Sequence, residues 1–142
     1  MSEQSSDTRG MPVISLWGPW ANWVSLGWKT IETRTHKRFV SLVGRRIGIH
    51  VTSKWDDTAI DQARPYLTEA QICTSQRFLK IGGAIICTAW VKGFDVLSAK
   101  DSARSLIDCG SVRRYGLFLT EIMTIPLIAA KGKQGIWYHD EL

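Results

Sequence analysis

The chain has 142 residues, 44% of them hydrophobic and 22% charged, with a net charge of +5; this fits one globular core and excludes a collagen-like, low-complexity or disulfide-framework protein. Its longest nearly apolar run, residues 82–91, is about half of the roughly 20 residues a membrane helix needs, and the amino terminus lacks an apolar signal core. A soluble, unexported, cytoplasmic protein is expected. Cys73, Cys87 and Cys109 are odd in number and show no C-x-x-C spacing, which fits a reducing compartment. Together with His36, His50 and His139 they match no zinc-ligand pattern, so neither a metal nor a cofactor is expected.

The positive charge is concentrated. Between Lys29 and Lys54 there are seven basic residues and one acidic, a net of +6, while the remainder nets −1. A basic field confined to one segment suits a polyanionic partner, because lysine and arginine that neutralise phosphates release counterions. Solvated side chains on a loop are the plainer alternative.

In chain order, residues 1–11 are polar, mixed in charge and aperiodic, and read as a disordered tail. Folded structure is expected from Pro12, as a single domain over residues 12–142. Val13-Ile14-Ser15-Leu16-Trp17 is short, apolar and bounded by Pro12 and Gly18-Pro19, a first strand. Pro19 opens a short helix and Gly27 closes it, with Trp20, Trp23 and Val24 on one face. Trp23 is assigned to the core; Trp20, in the first turn, can face either the core or a ligand. Residues 30–35 form a β-branched second strand on which Thr30, Glu32 and Arg34 share a face. Residues 36–42 make a basic loop and residues 43–45 a turn. In residues 45–51 Ile47, Ile49 and Val51 alternate with Arg46, Gly48 and His50, a third strand with His50 on its polar side.

From Asp56 the period becomes helical, with Ala59, Ile60, Ala63 and Leu67 in one stripe until Pro65. A capping box of Thr68 and Gln71 starts another helix, with Ile72, Ser75 and Leu79 inward and Gly82-Gly83 as its stop. Residues 84–91 read as a central strand extending to residue 97 past Gly93. Residues 98–112 form a long connection with a helical turn at 103–107, and residues 115–124 and 135–138 supply the last strands, joined through Pro126 and a Lys131-Gly132-Lys133 turn. The sequence of elements fits an α+β fold, a small, twisted, partly closed β-barrel of about five to six strands with the helices packed outside.

Four stretches resemble a known family in their order. They are Pro19-Trp20-Ala21, Gly27-Trp28-Lys29-Thr30-Ile31-Glu32-Thr33-Arg34, Gly44-Arg45-Arg46-Ile47-Gly48-Ile49-His50 and Gly132-Lys133-Gln134-Gly135-Ile136-Trp137. Together they resemble the ASCH domain, a PUA-like β-barrel, over residues 13–138. The resemblance implies a cleft beside the first helix and second strand, lined by Lys29, Glu32 and Arg34, that binds RNA or a nucleotide. Some relatives are amidohydrolases that deacetylate N4-acetylcytidine and others are described as ribonucleases. In the amidohydrolase branch a threonine stands where this chain has Glu32, and many relatives have glutamine where it has Gly18.

As a binding site, Lys29 and Arg34 supply cationic donors, Glu32 accepts from an exocyclic amine, and Trp20 or Trp28 stacks on a base. His50 points toward the same polar side. Arg38, Arg45, Arg46 and Lys54 then hold backbone phosphates without giving specificity. As a catalytic site, Glu32 activates water and Lys29 stabilises an oxyanion at an amide or phosphodiester, which makes the protein a hydrolase. A third reading is an ion-pair cluster that pins the strand to a neighbour. The expected partner is RNA, another single-stranded nucleic acid, or a nucleotide or nucleoside, with no membrane involved.

Overall fold

In the computed structural model, which describes residues 10–140 and Leu142, six strands form one mixed sheet in the order β2-β5-β4-β3-β1-β6. Of the tail expected at residues 1–11, residues 1–9 lie outside the described residues. β1 (Pro12–Gly18) runs parallel to β3 (Arg46–Trp55) and antiparallel to β6 (Trp137–Tyr138). β4 (Ala84–Val96) and β5 (Tyr115–Ala129) form the long central pair, and β2 (Ile31–Arg34) lies on the outer edge of β5. Among the described residues β2 and β6 are therefore the outermost strands of the sheet. The sheet curls until Arg34 on β2 reaches across to β1, where its guanidinium donates to the Ser15 carbonyl at 3.4 Å. The barrel is thus partly closed, with a seam between β2 and β1.

The principal core lies inside this curl. Ile14 and Leu16 of β1, Ile47, Ile49 and Val51 of β3, and Cys87, Ala89 and Val91 of β4 pack with Leu117 and Leu119 of β5, against Ala21 and Val24. The last two belong to α1 (Trp20–Ser25), which covers one end. A satellite cluster of Trp23, Ala59, Ala63 and Leu106 holds α2 (Ala59–Ala63) against α1. Trp23 is fully buried, as its spacing implies, and its indole N–H donates to Ser75 Oγ at 2.9 Å. A buried tryptophan of this kind needs such a partner.

Several elements depart from the sequence expectations. The basic loop at residues 36–42 contains a 3-10 helix, Arg38–Leu42, because Phe39 and Leu42 turn into the core. α3 (Glu69–Gln76) starts with the expected Thr68/Gln71 capping box but ends well before Gly82. Leu79 is therefore 73% exposed rather than inward, since the chain leaves the helix to set Phe78 edge-on to Trp55. β5 does not stop at Pro126. A register break opposite Ile86 absorbs the missing N–H, and pairing resumes at Ile128 and Ala129. The connection after β4 carries a 3-10 turn, Ala99–Asp101, and α4 (Ser102–Ser105). Among the described residues no helix is long and apolar enough to cross a membrane.

Candidate binding cleft at the open seam

The site begins at Gly27. Its φ of +78° lets the chain leave α1 through paired bonds, Gly27 N–H to Val24 O at 2.9 Å and Trp28 N–H to Trp23 O at 3.0 Å. This is the Schellman arrangement, in which a left-handed residue satisfies the last helical carbonyls. The reversal lays Trp28 on the Trp23 cluster and turns Lys29 inward. Lys29 is only 1% exposed. Its ammonium donates to the Ser105 carbonyl at 2.6 Å, lies 5.2 Å from the centre of the Trp20 ring, and sits 3.8 Å from Glu32 Oε1.

Glu32 is buried as well and holds a second cation, with Arg34 Nη2 3.3 Å from its Oε2. The Arg34 guanidinium also packs 4.8 Å from the centre of the Phe39 ring, while its buried Nε has no partner among the described residues. One carboxylate therefore lies between two cations. Burial pulls the Lys29 ammonium down to about 8, an effect that Glu32 partly opposes. Desolvation disfavours the charged form of an amine, and a neighbouring carboxylate favours it.

The opposite wall comes from β1, β3 and the segment before β6. His50 is on the side of β3 expected to be polar, yet it is 1% exposed, because residues 131–135 and Trp137 cover that side. Its Nε2 donates to the Ala130 carbonyl at 2.8 Å, and burial keeps the ring below the usual histidine range. The neutral ring then offers Nδ1 as an acceptor, and Nδ1 has no partner among the described residues. Ser15 pairs with His50 in the parallel register, and Ser15 Oγ accepts from Trp137 Nε1 at 3.0 Å. Gly132 passes so close that an added Cβ would lie 2.5 Å from His50 Cε1 and 2.9 Å from Ser15 Oγ. Only glycine keeps this wall flush.

Between the two walls lies a cavity of about 1040 Å³. Of the residues singled out from the sequence, Trp20, Lys29, Glu32, Arg34, Arg38, His50 and Lys54 line it. Trp20 is held by a 2.8 Å bond from its indole N–H to Asp56 Oδ2. Trp28, Arg45 and Arg46 do not line it. Trp28 packs with the Trp23 cluster, and Arg46 is turned to Thr88 and Glu121, at 3.0 Å from Thr88 Oγ1 and 3.2 Å from Glu121 Oε1. Ser15, Trp17, Lys131 and Lys133 are among the lining residues that were not singled out as site residues. The two-residue period of β1 puts Ser15 and Trp17 on one side, and the lysines flank Gly132 in the final motif, so both signals were present in the chain. Among the described residues no group of three or more histidine, cysteine or carboxylate side chains is placed to hold a metal ion.

No family model and no curated protein matches this chain. Solved structures do. The ASCH protein from Zymomonas mobilis is 17% identical, with a TM-score of 0.58 over 92% of this chain and 88% of that one. A serine-to-alanine variant of that protein is 16% identical and a tyrosine-to-phenylalanine variant 15%, each with a TM-score of 0.55. They cover 93% and 91% of this chain, and each match spans 89% of the other. With its six-stranded, incompletely closed sheet and short helices, this chain has the ASCH fold.

Proposed function

We propose that residues 12–142 act as one domain that binds a nucleobase, carried by a nucleotide or by single-stranded nucleic acid such as RNA, in the seam cleft. The observation that carries this reading is the Lys29–Glu32–Arg34 ion-pair chain, its lysine and glutamate buried, in a cation-rimmed cavity. Glu32 accepts from a base amine, Arg34 Nε donates to a ring nitrogen or carbonyl, and His50 Nδ1 accepts a further N–H. Trp20 supplies an aromatic wall, and Arg38 and Lys54 at the rim attract phosphates without reading sequence. Affinity for single-stranded RNA is expected to fall as salt rises, and Lys29→Ala and Arg34→Ala are each expected to weaken it. Affinity that is indifferent to salt and to both substitutions overturns the reading.

A hydrolytic role is the second reading, favoured by one observation: the Lys29 amine is pulled down to about 8 beside a carboxylate. Buried amines tuned in this way are common at catalytic sites. Glu32 would take a proton from water as the oxygen attacks an acyl carbon or a phosphodiester phosphorus, Lys29 would hold the negative charge that develops, and the proton would pass to the departing amine or alkoxide as its bond to carbon or phosphorus breaks. Incubation with N4-acetylcytidine and with single-stranded RNA tests it. Conversion of either by the wild type and not by Glu32→Gln establishes catalysis, and no conversion of both removes it.

A further inference from the structure

We propose that Trp17 and Lys54 form a second nucleotide subsite at the mouth of the cleft, so that the ligand is a single strand of two or more nucleotides. This inference rests on the reading of the seam as a base-binding cleft. It concerns a different part of the surface and a different property of the ligand, its length.

The subsite is built by an irregularity in the β1–β3 pairing. Leu16 is opposite Val51, but the next pair is Gly18 with Trp55, so Thr52, Ser53 and Lys54 together face the single residue Trp17. The bulge is held locally, since Thr52 Oγ1 accepts the Lys54 N–H at 3.1 Å. It is also anchored at its far end by the Asp56 N–H, which donates to the Gly18 carbonyl at 2.7 Å. Bulges of this kind re-aim side chains, often beside functional sites. Here the bulge brings Lys54 Nζ to 5.4 Å from the centre of the Trp17 ring.

Trp17 is 47% exposed. Among the described residues it is the single large exposed apolar side chain that also lines the cavity; the others, such as Leu79, Met123 and Leu127, lie elsewhere. An exposed indole beside an ammonium, at the edge of a cleft rimmed by Arg38, Lys131 and Lys133, has the chemistry of a single-strand platform. Each base presents a π-face to stack, and each linkage brings a phosphate to a cation. A base seated on Glu32 and Arg34 thus leaves its neighbour in the strand at Trp17. Lys54 then meets the phosphate that joins them.

The test compares the four ribonucleoside 5′-monophosphates with a mixed-sequence hexaribonucleotide and its deoxy counterpart, by titration calorimetry. One of the hexamers is expected to bind at least about tenfold more tightly than the best monophosphate, as stacking of one added base allows. That hexamer-to-monophosphate ratio should collapse in Trp17→Ala, be largely kept in Trp17→Phe, and be unchanged in the outward-facing control Arg46→Ala. A ratio near one in the wild type, or one that survives Trp17→Ala, overturns the inference while leaving the cleft reading intact. Monophosphate affinity unchanged in Arg34→Ala, or no binding of any probe, overturns the cleft reading and this inference with it. Near-ultraviolet circular dichroism of both Trp17 variants separates lost stacking from lost folding.

Discussion

Glu32 is one buried carboxylate shared by two cations, and this asymmetry sets what each substitution costs. Replacing it by glutamine leaves Lys29 and Arg34 without their counter-charge in a desolvated site, so Glu32→Gln is expected to lower unfolding stability by about 3 kcal/mol in urea titrations. Lys29→Met is expected to cost less, because Arg34 still holds Glu32 at 3.3 Å. The buried amine also carries a pH signature. Its folded value of about 8 lies below the ordinary 10.5, so between those limits the unfolded chain binds more protons and stability climbs with pH. Wild-type stability relative to Lys29→Met should therefore rise by about 3 kcal/mol between pH 7.5 and 10.5, as read from urea unfolding at each pH. His50 gives the corresponding effect on the acid side. Burial holds it below 6.5, so stability is lost as pH falls from there, and His50→Gln should flatten that slope. The sequence pattern placed His50 with the polar residues of its strand. What it lacked was the segment that covers it, which lies some 80 residues away at Ala130.

Among the elements, those specified by local chemistry were the legible ones. Pro19, the apolar spacing of Trp23 and Val24, and Gly27 define α1 within nine residues, and the Thr68/Gln71 box defines the start of α3. Gly27 also sets the direction in which Lys29 enters the cleft. Gly27→Ala is expected to lose about 1–2 kcal/mol, since the position is left-handed. No atom crowds an added Cβ there, so Gly27→Asn should recover most of the loss in thermal melts, because asparagine tolerates that conformation. Gly132 is the contrasting case. Its methyl would strike the His50 ring, so Gly132→Ala should move the cleft wall and weaken ligand binding even where the fold survives. The misread elements were settled by distant partners. Phe78 leaves α3 for Trp55, Phe39 and Leu42 wind the basic loop into a turn of helix, and β4 accommodates Pro126 through a register break.

At the scale of the whole molecule, the basic segment divides between two surfaces. Arg38 and Lys54 reach the seam, while Arg46 pairs with Glu121 on the outside of the sheet. Sequence gives the sign and density of charge but not this division, which depends on which strands become neighbours. Salt titration of single-stranded RNA binding should separate the two groups. Arg38→Ala and Lys54→Ala should each reduce the slope of log affinity against log salt by about 0.7, the value per phosphate contact on a single strand, and Arg46→Ala should leave it unchanged. The α+β class and partly closed barrel were legible from the alternation of elements; the order β2-β5-β4-β3-β1-β6 was not, because pairing partners are set by long-range packing.

The two residue pairs that join β6 to β1 connect opposite ends of the chain, and Trp137 meets Ser15 across 122 positions. Contacts between such distant residues become favourable only after the intervening β3–β4–β5 meander has formed, so in folding the wall at residues 131–135 is assembled late. In the native protein these pairs, with the Trp137–Ser15 bond, tie that wall to β1. Hydrogen exchange should find the β6 amides trading with solvent well before those of β3 and β4, at a free energy below that of global unfolding. A strand too short to stabilise the sheet greatly would then govern how readily the cleft opens to solvent.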